Sequence, residues 1–191
     1  MLIALEGSSP TIRGENNRKY YVWEIYQNTN RAKIYVPGPA AISWGPSGIN
    51  IRKMADKATT FIKANSGPIF LVGWSRGAAA CVQTALDLQR SGYGQNIEAL
   101  FLFDAVDQDG STNDLLNFIP GNVTNAYHAI ATAKSWRDQR LFPTCARTAA
   151  PSVNLVTQNF NTSHGGIAGA GDSDAGSKEW MWNHLRTHRV L

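Results

Sequence analysis

The chain has 191 residues, a length that fits a single domain over residues 1–191 with a substantial core of its own. Hydrophobic content of 43% against 17% charged residues excludes a disordered chain, and no segment approaches the roughly 20 apolar residues of a membrane-spanning helix. A net charge of +4 favours weak association with an anionic membrane surface, whereas Lys and Arg are scattered, with no basic run interleaved with aromatics, which argues against nucleic acid.

The opening stretch, MLIALEGSSP, has no basic flank and few apolar residues before Glu6, so it is predicted to be a first strand, Leu2 to Leu5, rather than a secretory signal. A cytoplasmic protein, or one exported without a leader, is the expectation. Gly7, Ser8, Ser9 and Pro10 end this strand in a loop. The stretch NNRKYYVWEIYQNTN is predicted to be helical, and Ala32 to Val36 is a second strand stopped by PGP. Ile51, Met54, Ala55, Ala58, Phe61 and Ile62 recur at the spacing of one face of an amphipathic helix.

Ile69 to Val72 is too short for a helix and reads as a strand buried on both faces. After Gly73 to Gly77 a helix runs to about Arg90, and Ile97 to Phe103 is another buried strand ending at Asp104. Asn122 to Tyr127 and Val153 to Val156 are later strand candidates, and Gly165 to Ser177 has the composition of a flexible loop. Strands alternating with helices at this spacing predict a mostly parallel sheet covered by helices. Cys81 and Cys145 cannot make a disulfide framework and lack metal-ligand spacing; Cys81 is expected to pack as a small apolar side chain.

The stretch GWSRG, Gly73 to Gly77, carries the chemistry. A serine that attacks an acyl group must be raised clear of the fold, beside a base and near donors for the oxyanion. Two glycines let a helix pass close to the preceding strand while Ser75 sits on a sharp turn at the strand's C-terminal end. Asp104 ends the next strand, so its carboxylate projects from the same sheet edge; Asp107 and Asp109 lie further into the loop. His164, followed by two glycines, belongs to a loop able to bring an imidazole over that edge. His128 reads as a packed or surface residue, and His184 and His188, four apart but without an acidic residue between them, as a solvated C-terminal turn. The N–H of Arg76 and one from Gly7 or Ser8 are the oxyanion donors expected; the Arg76 guanidinium is expected to find a carboxylate. Trp74 and Trp44 are candidates for an acyl-binding surface.

With those residues in view, the chain resembles the α/β-hydrolase superfamily. More narrowly it is similar to small bacterial hydrolases related to type VI secretion lipase effectors, through GWSRGA at 73–78, LFLFDAVD at 100–107 and SHGGIAG at 163–169. EGSS at 6–9 stands where those effectors carry an Asp-Gly-Thr-like segment. The resemblance implies a three-layer α/β-hydrolase fold, minimal and without a lid domain. It also implies a Ser75–His164–Asp104 triad that cleaves a lipid or small acyl ester without metal or organic cofactor. A thioesterase or peptidase on the same triad, and a non-catalytic binding domain of the same fold, are the alternatives.

Overall fold

The computed structural model describes residues 1–8, 18–39, 47–107, 115–134, 143–171 and 173–191. In chain order these form β1 (Leu2–Leu5), α1 (Tyr21–Asn28), β2 (Lys33–Val36), α2 (Ser47–Lys63), β3 (Ile69–Trp74), α3 (Arg76–Arg90) and β4 (Ile97–Phe103). Then follow β5 (Phe118–Ile119), β6 (Val123–Ala131), β7 (Thr148–Ala149), β8 (Asn154–Phe160), a 3-10 turn at Gly166–Ala168 and α4 (Ser177–Thr187).

Six strands form one parallel sheet in the order β2-β1-β3-β4-β6-β8. Its inner strands β1 and β3 are apolar along their whole length because both faces are covered. Ile3, Leu5, Leu71, Leu100 and Leu102 pack against Ile51, Met54 and Ala58 of α2 and the alanine-rich face of α3. Leu2, Ala4, Phe70, Val72, Phe101 and Phe103 point the other way, against Val22 and Ile25 of α1 and Met181, Trp182 and Leu185 of α4. Successive strand side chains thus serve opposite layers. The architecture is the expected one: three layers, helix on sheet on helix.

Differences are local. Strand β6 runs to Ala131 and β8 to Phe160, both further than their apolar cores indicate. The pair β5–β7 makes a second, two-stranded parallel sheet that apolar patterning does not announce. The stretch 165–177 is not a uniformly flexible loop. Gly166, Ile167 and Ala168 are buried in the 3-10 turn, Asp174 accepts the Tyr21 hydroxyl at 2.9 Å, and Ser177 opens α4 with its hydroxyl donated to Ile167 O. Cys81 and Cys145 are buried free thiols, their ionisation suppressed by burial. Among the described residues no helix is long and apolar enough to cross a membrane.

Candidate active site

Parallel strands in one sheet bring all their C-terminal ends to one edge, and there β3, β4, β6 and β8 deliver side chains that meet. Ser75 follows β3 directly, with φ 56° and ψ −125°, a conformation costly for any residue with a side chain. Packing enforces it. A Cβ on Gly73 would lie 2.6 Å from Ala78 N, and one on Gly77 would lie 2.0 Å from Leu5 O. The α3 helix therefore starts immediately beside β1 and β3, and the chain must turn sharply at Ser75. Ser75 N–H still donates to Phe103 O at 3.0 Å and Ser75 O accepts from Val106 N–H at 3.2 Å, pinning the turn from both sides.

Asp104 ends β4 in a second positive-φ conformation, φ 41°, and is fully buried. His164 lies four residues past β8. Its Nε2 is 2.9 Å from Ser75 Oγ and its Nδ1 is 2.6 Å from Asp104 Oδ2. A neutral imidazole with its proton on Nδ1 donates to the carboxylate and accepts the serine O–H, the relay that general-base activation requires. The His164 loop is tied to the nucleophile strand as well, because Trp74 Nε1–H donates to His164 O at 3.0 Å.

Two further residues hold the carboxylate, and neither stands out in the sequence. Lys134 Nζ is 2.7 Å from Asp104 Oδ2, the same oxygen that His164 contacts, and also donates to Thr144 Oγ1 at 2.9 Å. Thr144 Oγ1 donates to Asp104 Oδ1 at 3.1 Å. Burial opposes ionisation of Asp104, but the hydrogen bonds and charges of His164 and Lys134 outweigh it and keep the carboxyl below its ordinary range. Beneath it, fully buried His128 accepts Ala105 N–H on Nε2 at 3.0 Å and has Nδ1 3.2 Å from Ala146 O. Burial pushes His128 down to about 4, so it is a neutral strut for the turn that carries Asp104.

Other expected residues fare differently. Gly7 lies beside the elbow, but its N–H donates to Glu6 Oε1 at 3.1 Å, so this oxyanion donor is already engaged. Ser8 Oγ accepts Arg76 Nε–H at 2.6 Å, so the guanidinium meets a hydroxyl and not the expected carboxylate. Trp74 is no open acyl-binding surface: it is 5% exposed, with the Tyr20 ring edge-on at 5.6 Å and the His164 ring at 5.7 Å. Trp44 and Asp109 lie outside the described residues. His184 and His188 are packed rather than solvated. His184 stacks on Tyr127 at 3.9 Å, and His188 Nε2 is 2.9 Å from Tyr127 Oη. Among the described residues no cluster of His, Cys, Asp or Glu is arranged to hold a metal ion.

No protein-family model and no curated protein sequence matches the chain. Among solved structures, it is similar to a protein described as a YdeN-like hydrolase from Pectobacterium atrosepticum. The TM-score is 0.53 at 13% identity, over 98% of this chain and 89% of that one. It is similar also to RedJ, solved with a polyethylene glycol molecule bound in its active site, with a TM-score of 0.53 at 13% identity over 100% of this chain and 91% of that one. The shared feature is the fold: a three-layer α/β-hydrolase-like architecture with a mostly parallel sheet.

Proposed function

We propose that the chain is a serine hydrolase that cleaves carboxylic esters through an acyl-enzyme. The observation that carries this reading is the unbroken line of contacts from Ser75 Oγ to His164 Nε2 at 2.9 Å and from His164 Nδ1 to Asp104 Oδ2 at 2.6 Å. A binding domain that had lost catalysis would have no reason to hold a strained serine within hydrogen-bond reach of an imidazole.

In the mechanism, Ser75 Oγ attacks the acyl carbon while His164 Nε2 takes its proton. Asp104 stabilises the resulting imidazolium and fixes which ring nitrogen faces the serine. The tetrahedral oxyanion is held by the Arg76 N–H, which opens α3 and has no intrahelical acceptor, and by the Ser8 N–H of the loop after β1, because the Gly7 N–H is engaged by Glu6. Collapse breaks the ester C–O bond, and the leaving alkoxide takes the proton from His164. Water then attacks the acyl-serine with His164 again as base, and the carboxylic acid departs. The resemblance of the GWSRGA, Asp104 and SHGG segments to lipase effectors favours a lipid or small acyl ester as substrate.

A fluorophosphonate ester probe tests this. Folded wild type is expected to be labelled and Ser75→Ala not at all, with Asp104→Asn and His164→Ala slowed about 1,000-fold or more. A folded wild type that resists labelling would make the elbow a structural turn and leave a binding domain. Matched ester, thioester and anilide substrates then rank the leaving groups.

A further inference from the structure

Arg76 stands next to the nucleophile and is 9% exposed, yet its one hydrogen bond among the described residues is from Nε to Ser8 Oγ, at 2.6 Å. No carboxylate within the described residues pairs with it, and burial alone bears on its titration. Four of its five N–H donors remain after Ser8 is served, so the guanidinium has hydrogen-bonding capacity left for a ligand. The other charged groups of the site are matched: Asp104 holds both Lys134 and His164.

The backbone around Arg76 has the same polarity. Arg76 is the first residue of α3, a helix of 15 residues, and the N–H groups of its first turn have no intrahelical acceptors and carry the positive end of the helix dipole. Ser8 Oγ anchors the guanidinium against the loop after β1, across from the elbow. Gly7, the residue before Ser8, sits so close to the elbow that a Cβ on it would lie 3.2 Å from Ser75 Cβ, so the anchored guanidinium and the helix N-terminus both belong to the surroundings of the serine.

We propose that this is a substrate-anion site: Arg76 and the N-terminus of α3 receive a carboxylate or phosphate carried on the ester close to its acyl carbon. The word substrate rests on the hydrolase reading; the anion site rests on Arg76 itself. A planar guanidinium with Nε already anchored presents its outer nitrogens as a bidentate fork, the geometry that suits both anions. The ester is selected by a charge near the scissile bond rather than by a long apolar chain.

Two arms test the proposal. The first compares kcat/KM for 4-nitrophenyl butyrate with that for its succinate mono-ester and for a phosphonopropionate ester, in wild type, Arg76→Met and Arg76→Lys. Wild type is expected to prefer an anionic ester, and the anionic-to-neutral ratio is expected to fall about tenfold or more in Arg76→Met, with Arg76→Lys intermediate. Which anionic ester is preferred decides between carboxylate and phosphate. A ratio that Arg76→Met leaves within twofold, or equal losses on both ester classes, overturns the site.

The second arm needs no turnover: calorimetric titration of Ser75→Ala with succinate and with inorganic phosphate, repeated in Ser75→Ala/Arg76→Met. Binding by at least one anion, weakened about tenfold by loss of Arg76, is expected. No saturable binding of either anion overturns the proposal. Arg76-dependent binding in a protein that resists the fluorophosphonate would keep the anion site and remove the hydrolase. If Arg76→Met does not fold, competitive inhibition of wild-type butyrate-ester turnover by free succinate or phosphate takes its place, and its absence at saturating anion overturns the site.

Discussion

Lys134 and His164 compete for one oxygen of Asp104, at 2.7 and 2.6 Å. The ammonium on that oxygen is one of the groups that keep the Asp104 carboxyl below its ordinary range. Asp107, His128 and Arg147 also lie in this charge environment, with Lys134 the group in direct contact with the carboxylate. Replacing Lys134 with Met removes that support, so Asp104 takes up a proton at higher pH and the acid limb of the kcat/KM profile is expected to move to higher pH. A structural role for Lys134 would lower the rate at every pH without moving that limb, and Lys134→Arg is expected to restore the wild-type profile. The meeting of Ser75, His164 and Asp104 was legible in the sequence because each of them sits at a signalled place: between glycines, ahead of Gly165 and Gly166, and at the end of an apolar strand. Lys134, Thr144 and His128 were not, because what distinguishes them is where a strand ends in space.

Elements explain that loss. The β6 strand reads as apolar only in part; it continues as His128-Ala129-Ile130-Ala131, and Thr132 and Ala133 still donate to Phe160 O and Thr162 O beyond it. Ended at Tyr127, the strand leaves Lys134 adrift in a loop; ended at Ala131, it delivers Lys134 to the edge where Asp104 lies. The β8 strand, Asn154–Phe160, hides its length similarly, since an edge strand faces one helix layer and can carry Asn and Gln. The β3–α3 corner was the opposite case, because its glycines are dictated by contact. Gly77→Ala would put a methyl group 2.0 Å from Leu5 O, a backbone atom that cannot swing aside. It is expected to cost about 3 kcal/mol or more, read as a lowered denaturant midpoint, and to abolish probe labelling by displacing Ser75.

At the scale of the whole molecule, the sheet edge concentrates buried charge, and one such group couples the fold to pH. Glu6, fully buried at the end of β1, accepts Gly7 N–H at 3.1 Å and the Tyr35 hydroxyl at 3.2 Å, and burial pushes its carboxyl up to about 8. An unfolded chain releases that proton from about pH 4.5 upward, whereas the folded chain keeps it until about 8. Stability from this group is therefore fullest below 4.5, declines as pH rises between the two values, and levels off above 8. The decline approaches the single-proton limit of about 1.4 kcal/mol per pH unit. Glu6→Gln keeps an acceptor for the Gly7 N–H, offers its amide N–H to the Tyr35 oxygen and removes the titration, so urea midpoints of the two proteins are expected to diverge from pH 5 to 8, with the variant gaining. Parallel curves would place the Glu6 proton elsewhere.

The order β3, β4, β6, β8 runs outward across the sheet in the same direction as the chain. The strands that lead to Ser75, Asp104, Lys134 and His164 are consequently made in the order in which they lie in the sheet, although the His164 side chain reaches back between Ser75 and Asp104. During synthesis the nucleophile and its strained turn come first, the buried acid next, and the cation that holds the acid after that; the base arrives with the last strand. On the proposed chemistry a growing chain is inert toward esters until His164 follows β8, and the residues after it, Met181, Trp182 and Leu185 among them, then close the core layer behind the finished site.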